Sequence, residues 1–306
     1  MKKKIVITGG LGFIFSHVTE HFLKAGWDVM VIDNLSAGAH PELVPEFKKL
    51  GKLTFVEYDV SFQPVVPIIT TFNPEYIIHA AAISDVDYSI KQPVKTVQAN
   101  VNGTINIFEA ARKLKNLKKL LYVSTDEVYG ECDHPKTEDE IIFPKNPYSL
   151  SKAFGSIMRL AYDNTFPELK DKTVETRFCN VFGPRQDDRK VIPAIKRALE
   201  GGKPLAIHNK GVGYHQYIHV SEIPPLIEHI LNVGNRTYNI TTGEGYTVHN
   251  LTEIVEHLTG KKVPTIFGNR PGMDMRYEMS ADRIQNAFGW KPKKTFQEHF
   301  KQYLES

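Results

Sequence analysis

The sequence predicts an α/β protein whose core is a doubly wound parallel sheet, with a smaller C-terminal α/β lobe. Three observations predict this class. Short runs rich in β-branched residues alternate with longer segments of helical periodicity, which is the pattern of βαβ units. The first of these runs ends in a glycine-rich turn, Gly9-Gly-Leu-Gly12. A chain of 306 residues, of which 41% are hydrophobic, can also bury a core of the size that such a sheet needs.

The predicted elements follow one another in a regular order along the first half of the chain. Apolar runs predict five strands, at residues 4–8, 28–32, 53–58, 76–80 and 119–124. Helical periodicity predicts helices at residues 13–25 and 94–113, and Tyr148 and Lys152 are expected on a third helix. In the first helix Ile14, Val18 and Phe22 form one apolar stripe, which we expect to be its buried face. Glycine and proline clusters interrupt the pattern later on, so we expect a main domain at residues 1–175 and a second lobe at 176–306, with some strands and helices exchanged between them.

Composition argues against several classes of protein. The 38 Lys and Arg residues nearly balance the 35 Asp and Glu residues, so no basic surface for nucleic acid is indicated. Only two cysteines occur, Cys132 and Cys179, without a CxxC pair, which argues against a disulfide framework or a thiolate zinc site. The first residues form a short strand that is too short for a signal-peptide core or a membrane span. We therefore expect a cytoplasmic protein that acts neither on nucleic acid nor in a membrane.

The glycine turn predicts a binding site for a dinucleotide. It lies between the first strand and the first helix, where backbone amides and the helix N-terminus can bind a pyrophosphate. Asp33 ends the second strand 21 residues after Gly12, and a carboxylate there binds an adenosine ribose and repels a 2′-phosphate. These features predict a Rossmann-type domain that binds NAD in preference to NADP. One position departs from the pattern: Phe15 stands where a third glycine usually lets the helix pack close to the sheet, so we expect it to push the helix outward or to fill a gap.

A tyrosine and a lysine on the third predicted helix indicate redox chemistry. Tyr148 and Lys152 are separated by about one helical turn and therefore share a face. A lysine ammonium beside a phenol favours the phenolate, so we expect a lowered pKa for Tyr148. Such a tyrosine can take the proton of a substrate hydroxyl while hydride leaves the same carbon for NAD. The alternative is a surface Tyr and Lys on an amphipathic helix.

Two adjacent carboxylates, Asp126 and Glu127, follow the fifth predicted strand. Adjacent carboxylates repel each other and burial disfavours their charged forms, so the pKa of at least one should be raised. One protonated and one charged carboxyl group can serve as the acid and the base of an elimination. The alternatives are a solvated acidic loop and an aspartate that caps a helix.

Together these motifs resemble the extended short-chain dehydrogenase/reductase superfamily. The resemblance is carried by Thr8-Gly-Gly-Leu-Gly-Phe-Ile14, His79-Ala-Ala-Ala82, Asn100-Val-Asn-Gly-Thr104, the pair Tyr148 and Lys152, and Asn180-Val-Phe-Gly-Pro184. Within the superfamily, Ser124-Thr-Asp-Glu-Val-Tyr-Gly130 is typical of nucleotide-sugar 4,6-dehydratases, particularly those that act on dTDP-glucose or UDP-glucose. The segment Arg270-Pro-Gly-Met-Asp-Met-Arg-Tyr277 is also similar to a segment of these dehydratases.

The resemblance implies a reaction and a set of catalytic residues. An NDP-hexose is oxidised at C4, loses water across C5 and C6, and receives the hydride at C6, which gives an NDP-4-keto-6-deoxyhexose. By resemblance Asp126 is the acid and Glu127 the base, and Thr125, Tyr148 and Lys152 complete the catalytic set. We also expect a homodimer that pairs through the helices at 94–113 and 148–164.

The resemblance further implies residues that contact cofactor and substrate. Cofactor contacts are expected at Gly9, Gly12, Phe13, Ile14, Asp33, Asn34, Asp59, Val60, Ala80, Ala81, Ala82, Tyr148 and Lys152. Substrate contacts are expected at Ser84, Asn180, Lys190, His215 and Arg270. His215 replaces a diphosphate-binding arginine of the family, and Met273 and Met275 replace a histidine and an arginine. Because histidine is largely neutral at pH 7, we expect weaker anion binding and an unusual substrate.

Several alternative functions remain open at this stage. A 4-epimerase or a UDP-glucuronate decarboxylase needs Tyr148 and Lys152 but not both carboxylates. A chain that has lost turnover could act as an NAD-binding regulator or scaffold. The spacing His17-Val-Thr-Glu-His21 matches a zinc-binding pattern, but the apolar stripe of this helix leaves both histidines turned towards water, so we expect no metal there.

Overall fold

The computed structural model describes residues 2–36, 38–268 and 275–306. In chain order the strands are β1 (Lys4–Thr8), β2 (Asp28–Asp33), β3 (Lys52–Glu57), β4 (Tyr76–His79), β5 (Lys119–Thr125), β6 (Thr173–Phe178), β7 (Asn180–Phe182), β8 (Leu205–His208), β9 (Tyr214–His219), β10 (Thr237–Ile240), β11 (Gly245–Tyr246), β12 (Thr265–Gly268) and β13 (Arg276–Tyr277). The helices are α1 (Phe13–Lys24), α2 (Val44–Leu50), α3 (Val65–Phe72), α4 (Val86–Lys91), α5 (Pro93–Arg112), α6 (Pro147–Thr165), α7 (Val191–Leu199), α8 (Ile223–Val233), α9 (Val248–Thr259), α10 (Asp282–Phe288) and α11 (Phe296–Glu305). Each strand and helix predicted above is present, and its ends lie within one residue of the prediction.

Seven parallel strands form the main sheet, in the order β10-β6-β5-β4-β1-β2-β3. This confirms the predicted doubly wound parallel sheet. One apolar cluster packs α1, α2 and α8 against one face, and a second cluster packs α3, α5 and α6 against the other. Strands β1, β2, β4 and β5 are almost entirely buried, as expected for the centre of a sheet that is covered on both faces.

The second half of the chain contributes to the main sheet and also builds a smaller lobe. β10 pairs with β6, and α8 packs against α1, so both belong to the main layer structure. In the lobe, β9 pairs with β7, β11 and β13, while β8 pairs with β12. An apolar cluster packs α7, α9 and α11 around these strands. No helix in the described residues is long and apolar enough to cross a bilayer.

Candidate active site

The turn between β1 and α1 requires glycine at its first position. Gly9 has φ +69°, and a Cβ atom there would lie 2.8 Å from the Cα atom of Ala81 at the end of β4. The amide of Gly12 donates a hydrogen bond to the carbonyl of Gly9 at 3.1 Å, which closes the turn. α1 then begins at Phe13, so the amides of its first turn lie at the carboxyl edge of the sheet. A close backbone approach beside a helix N-terminus is the arrangement that receives a pyrophosphate.

Asp33 joins the end of β2 to this turn. Its side chain is only 6% exposed, and it accepts hydrogen bonds from the amides of Leu11 and Leu35, each at 3.0 Å. Burial raises the pKa of Asp33, while the two amides oppose that rise. A carboxylate has about four acceptor positions, so these two bonds leave room for ribose hydroxyls.

Two further residues expected at the adenosine end lie close together. The amide of Asn34 donates to the carboxylate of Asp59 at 3.1 Å, and Asp59 also accepts from the backbone amide of Ser61 at 2.8 Å. Since β2 and β3 are neighbours in the sheet, their carboxyl ends bring these residues to the same edge as Asp33. The turn, the helix N-terminus and this polar group fit the requirements of an NAD site.

Phe15, which replaces the third glycine of the turn pattern, fills a gap. It is 5% exposed, and its ring meets that of Phe178 edge to face, with 6.4 Å between the ring centroids. Phe178 ends β6, so the aromatic pair connects α1 to β6 on the face of the sheet that α1 covers. The side chain therefore points into the core between α1 and the sheet, which is the second of the two outcomes expected from the sequence.

The strand end at β4 is held by a buried asparagine on α5. Asn100 accepts the amide hydrogen of Ile83 at 2.7 Å and donates to the carbonyl of Ile83 at 3.1 Å. It also donates to the hydroxyl of Ser151 on α6 at 2.8 Å. These bonds tie the segment 80–84, where cofactor and substrate contacts are expected, to the helix that carries Tyr148.

Lys152 is buried on α6, and its ammonium lies over an aromatic ring. The side chain is 4% exposed, and Nζ lies 4.5 Å from the ring centroid of Tyr122. Burial lowers the pKa of Lys152 to about 7, and the carboxylate of Glu175 opposes that fall. At neutral pH the group can therefore gain or lose a proton readily.

The pKa of Tyr148 differs from the expectation. The protein's own groups raise the pKa of Tyr148, because burial and the carboxylates of Glu127 and Asp126 outweigh the hydrogen bond from Thr125. The expectation rested on an ammonium beside the phenol, but burial weakens the charge of Lys152 itself. The hydrogen bond with Thr125 places Tyr148 at the start of the turn that carries both carboxylates.

The two adjacent carboxylates sit on a short 3₁₀ turn directly after β5. Thr125 caps this turn: its hydroxyl bonds Oδ1 of Asp126 at 3.0 Å and accepts the amide hydrogen of Glu127 at 3.4 Å. Asp126 is 6% exposed, and burial, followed by the charge of Glu127, raises its pKa to about 7. The expectation of one raised carboxyl pKa is therefore confirmed, and a large fraction of Asp126 is protonated at neutral pH. Such a pair can supply one acid and one base beside Tyr148.

The expected substrate residues lie on separate elements of the fold. Asn180 and Lys190 are both exposed, at the start of β7 and directly before α7. His215 lies on β9, with its ring centroid 5.7 Å from that of Tyr277. Ser84 is exposed and precedes Asp85, the N-cap of α4. Arg270 and Met273 lie outside the described residues, so no position is given for them.

The two histidines of α1 are partly buried and each has a partner, so the expectation that they are turned towards water is only partly met. His17 bonds the carbonyl of Pro184 at 3.0 Å, and His21 bonds the carboxylate of Glu228 on α8 at 2.7 Å. The helix is covered on this side because the second half of the chain packs against it. Within residues 2–36, 38–268 and 275–306, no group of three or more His, Cys, Asp or Glu side chains is arranged to hold a metal ion.

Sequence reasoning missed Asn146, which lies between the carboxylates and the helix of Tyr148. It is the N-cap of α6, and its side-chain amide donates to the carboxylate of Glu127 at 2.8 Å. An asparagine followed by proline is a recognisable signal for a helix start. No sequence pattern indicates the contact with Glu127, because that contact depends on how β5 and α6 pack.

Comparisons with known proteins agree with this geometry. A family model described as GDP-mannose 4,6 dehydratase matches residues 6–303 of the chain. The chain is 32% identical to the dTDP-glucose 4,6-dehydratase of Salmonella typhimurium strain LT2, over 99% of this chain and 92% of that protein. Two crystal structures also superpose on it, each at 28% identity over 99% of this chain. UDP-glucose 4-epimerase of Thermotoga maritima with UDP-glucose gives a TM-score of 0.90 over 97% of its own chain. dTDP-glucose 4,6-dehydratase of Bacillus anthracis with NAD gives 0.89 over 96%.

Proposed function

Because the chain belongs to the GDP-mannose 4,6-dehydratase family and is an NAD-dependent nucleotide-sugar 4,6-dehydratase of the short-chain dehydrogenase/reductase superfamily, we propose that it acts on an NDP-glucose, either dTDP-glucose or UDP-glucose. The product is the corresponding NDP-4-keto-6-deoxyglucose. The observation that carries this proposal is the pair of adjacent carboxyl groups close to Tyr148, one of them buried with a pKa of about 7. An epimerase of the same fold has no step that needs this pair.

The chain's own residues divide the proton transfers of the reaction. NAD, when bound, accepts hydride from C4 of the sugar and later returns it to C6. Tyr148 would take the proton of the C4 hydroxyl once the positive nicotinamide ring of bound NAD favours its phenolate, and the protonated form of Lys152, on the same face of α6, would add to this effect. Glu127 then removes the C5 proton, which the C4 ketone has made acidic. Asp126 gives its proton to the C6 hydroxyl, which leaves as water.

The balance of atoms is consistent with this division of roles. Oxidation at C4 removes two electrons, and the return of hydride to C6 restores them, so the cofactor ends in its starting form. One water leaves, formed from the C6 hydroxyl and a proton from Asp126, and the proton that Tyr148 took from the C4 hydroxyl passes to solvent, from which Asp126 regains its own. C5 receives a proton that has exchanged with solvent at Glu127, so deuterated water should label that carbon.

The product formed in deuterated water tests the proposal. We expect dTDP-glucose or UDP-glucose to give a 4-keto-6-deoxy sugar with deuterium at C5, detected by NMR. The variant Glu127→Gln has the same shape but no base, so it should leave C5 unlabelled. A simple C4 epimer as the product would instead identify an epimerase, and NAD binding without any product would identify a regulator or scaffold.

We also infer that two copies pair through α5 and α6. These helices pack side by side on one face of the sheet, and large apolar side chains remain exposed along them. The exposed residues are Val94, Leu150, Ile157 and Leu160, which are 66%, 53%, 59% and 52% accessible. A second copy that covers this surface would form a four-helix contact across a two-fold axis.

Two free cysteines, Cys132 and Cys179, support a reducing cytoplasm as the site of action.

A further inference from the structure

Asn146 contacts Glu127, one of the two adjacent carboxyl groups, through a side chain that the start of α6 holds in place. Its Nδ2 atom lies 2.8 Å from Oε2 of Glu127. Asn146 is partly buried and belongs to the first turn of α6, two residues before Tyr148. The contact therefore links the proposed base to the helix of the proposed C4 oxidation residues.

The orientation of the Asn146 amide is fixed by the helix. Its Oδ1 atom accepts the backbone amide hydrogen of Ser149 at 2.8 Å, and its own backbone amide donates to the Ser149 hydroxyl at 3.1 Å. A backbone amide can only donate, so the atom that faces Ser149 must be the carbonyl oxygen. The nitrogen then faces Glu127, where it too can only donate. Pro147 further restricts the backbone at this position.

The partners of the two carboxyl groups differ in a way that distinguishes them. Asp126 accepts hydrogen bonds from groups of its own turn, namely the hydroxyl of Thr125 and the backbone amides of Asp126 and Glu127, yet burial still raises its pKa. Glu127 is less buried and accepts a hydrogen bond from the amide NH₂ group of Asn146, which is stronger to a charged carboxylate than to a neutral carboxyl group. When the two adjacent groups share a single proton, these contacts favour its residence on Asp126.

We propose that Asn146 is a positioning residue that selects which of the two adjacent carboxyl groups is the base, by holding the Glu127 carboxylate ionised and aimed from the N-terminus of α6. This inference rests on the proposed dehydratase function. It adds that the roles of acid and base are set by α6 and not only by the turn that carries the two groups. A hydrogen bond to a charged group is stronger than one between neutral groups, so its loss should be measurable in the elimination step.

The variant Asn146→Asp tests the inference, since aspartate caps a helix as well as asparagine does. It keeps the bond to Ser149 but replaces the donor to Glu127 by a second carboxylate. With dTDP-glucose or UDP-glucose as substrate, we expect kcat to fall about 10- to 100-fold while KM changes little. A deuterium label at C5 of the substrate should slow the variant by a larger factor than it slows the wild type, because proton removal becomes more limiting. The acidic limb of the pH–rate profile should move to higher pH, since two neighbouring carboxylates hold a proton more tightly.

Two further variants separate this role from helix capping. Thr295→Asp also introduces an aspartate at a helix N-cap, that of α11 beside Glu298, and should leave both kcat and the isotope effect unchanged. Asn146→Ser retains a capping hydroxyl that is too short to bond Glu127, and it should reproduce the larger isotope effect without added charge. This second variant also carries the test if Asn146→Asp does not fold.

The results of these experiments distinguish a failure of the role of Asn146 from a failure of the proposed dehydratase function. Normal turnover in both Asn146 variants would overturn the role of Asn146, and so would a lower kcat with an unchanged isotope effect and pH profile. Failure of the wild-type chain to form a 4-keto-6-deoxy product from either sugar nucleotide would instead overturn the proposed function. A larger isotope effect in both variants, with wild-type behaviour in Thr295→Asp, would support the inference.

Discussion

Burial of Asp126 should make the protein less stable as the pH rises, and Asp126→Asn should remove that dependence. Burial raises the pKa of this carboxyl group from 3.8 to about 7. The unfolded chain therefore binds fewer protons than the native chain between these values, so stability falls through this range as pH rises and then stays constant. Since each tenfold change in proton affinity is worth about 1.36 kcal/mol, the full cost above pH 7 is roughly 4 kcal/mol, of which roughly a third is already present at pH 5.

Urea unfolding at pH 5 and pH 8 measures this effect. Asparagine has nearly the same shape and carries no charge. The free energy of unfolding of Asp126→Asn minus that of the wild type should therefore increase by roughly 3 kcal/mol from pH 5 to pH 8. Asp282→Asn, which changes an exposed aspartate at the start of α10, serves as the matched control and should show little change in this difference. An equal difference between wild type and Asp126→Asn at pH 5 and pH 8 would refute the argument that burial holds the acid protonated.

Three other substitutions test the cofactor turn, its departure from the family pattern, and the proposed dimer. Gly9→Ala should lower NAD affinity at least tenfold in a titration, whereas Gly26→Ala, which has φ +80° but nothing within 4 Å of an added Cβ atom, should leave that affinity unchanged. Phe15→Ala should cost about 3–5 kcal/mol of stability in urea unfolding, because its ring packs on Phe178; equal stability of the variant and the wild type would contradict this packing. Ile157→Glu should convert a dimer to a monomer in sedimentation, and an unchanged mass would argue against pairing through α6.

Much of the main domain could be predicted because its signals are local. β1 and β2 read as apolar runs since both faces of the sheet are covered, and the periodicity of α1 and α5 is unambiguous. Gly9 and Asp33 follow strands whose carboxyl ends share one edge, so their neighbourhood follows from topology alone. The less regular second lobe gave no such signals, and the pairing of β10 with β6 could not be read from the sequence.

The parts of the site that sequence reasoning missed depend on packing between distant segments. His17 was assigned to solvent because its own helix has an apolar stripe elsewhere, but Pro184 lies 167 positions further along the chain. The contact between Asn146 and Glu127 spans 19 positions and two elements. The pKa of Tyr148 was expected to fall through its lysine neighbour, whereas burial, which no sequence spacing reveals, has the larger effect.

The fate of a deuterium atom placed at C4 of the sugar tests the central claim most directly. If Tyr148, Asp126 and Glu127 act on one hexose beside NAD, the label should leave C4 and reappear in the C6 methyl group of the same product molecule, as read by NMR and mass spectrometry. Label that remains at C4 of a product with an intact C6 hydroxyl would contradict the account.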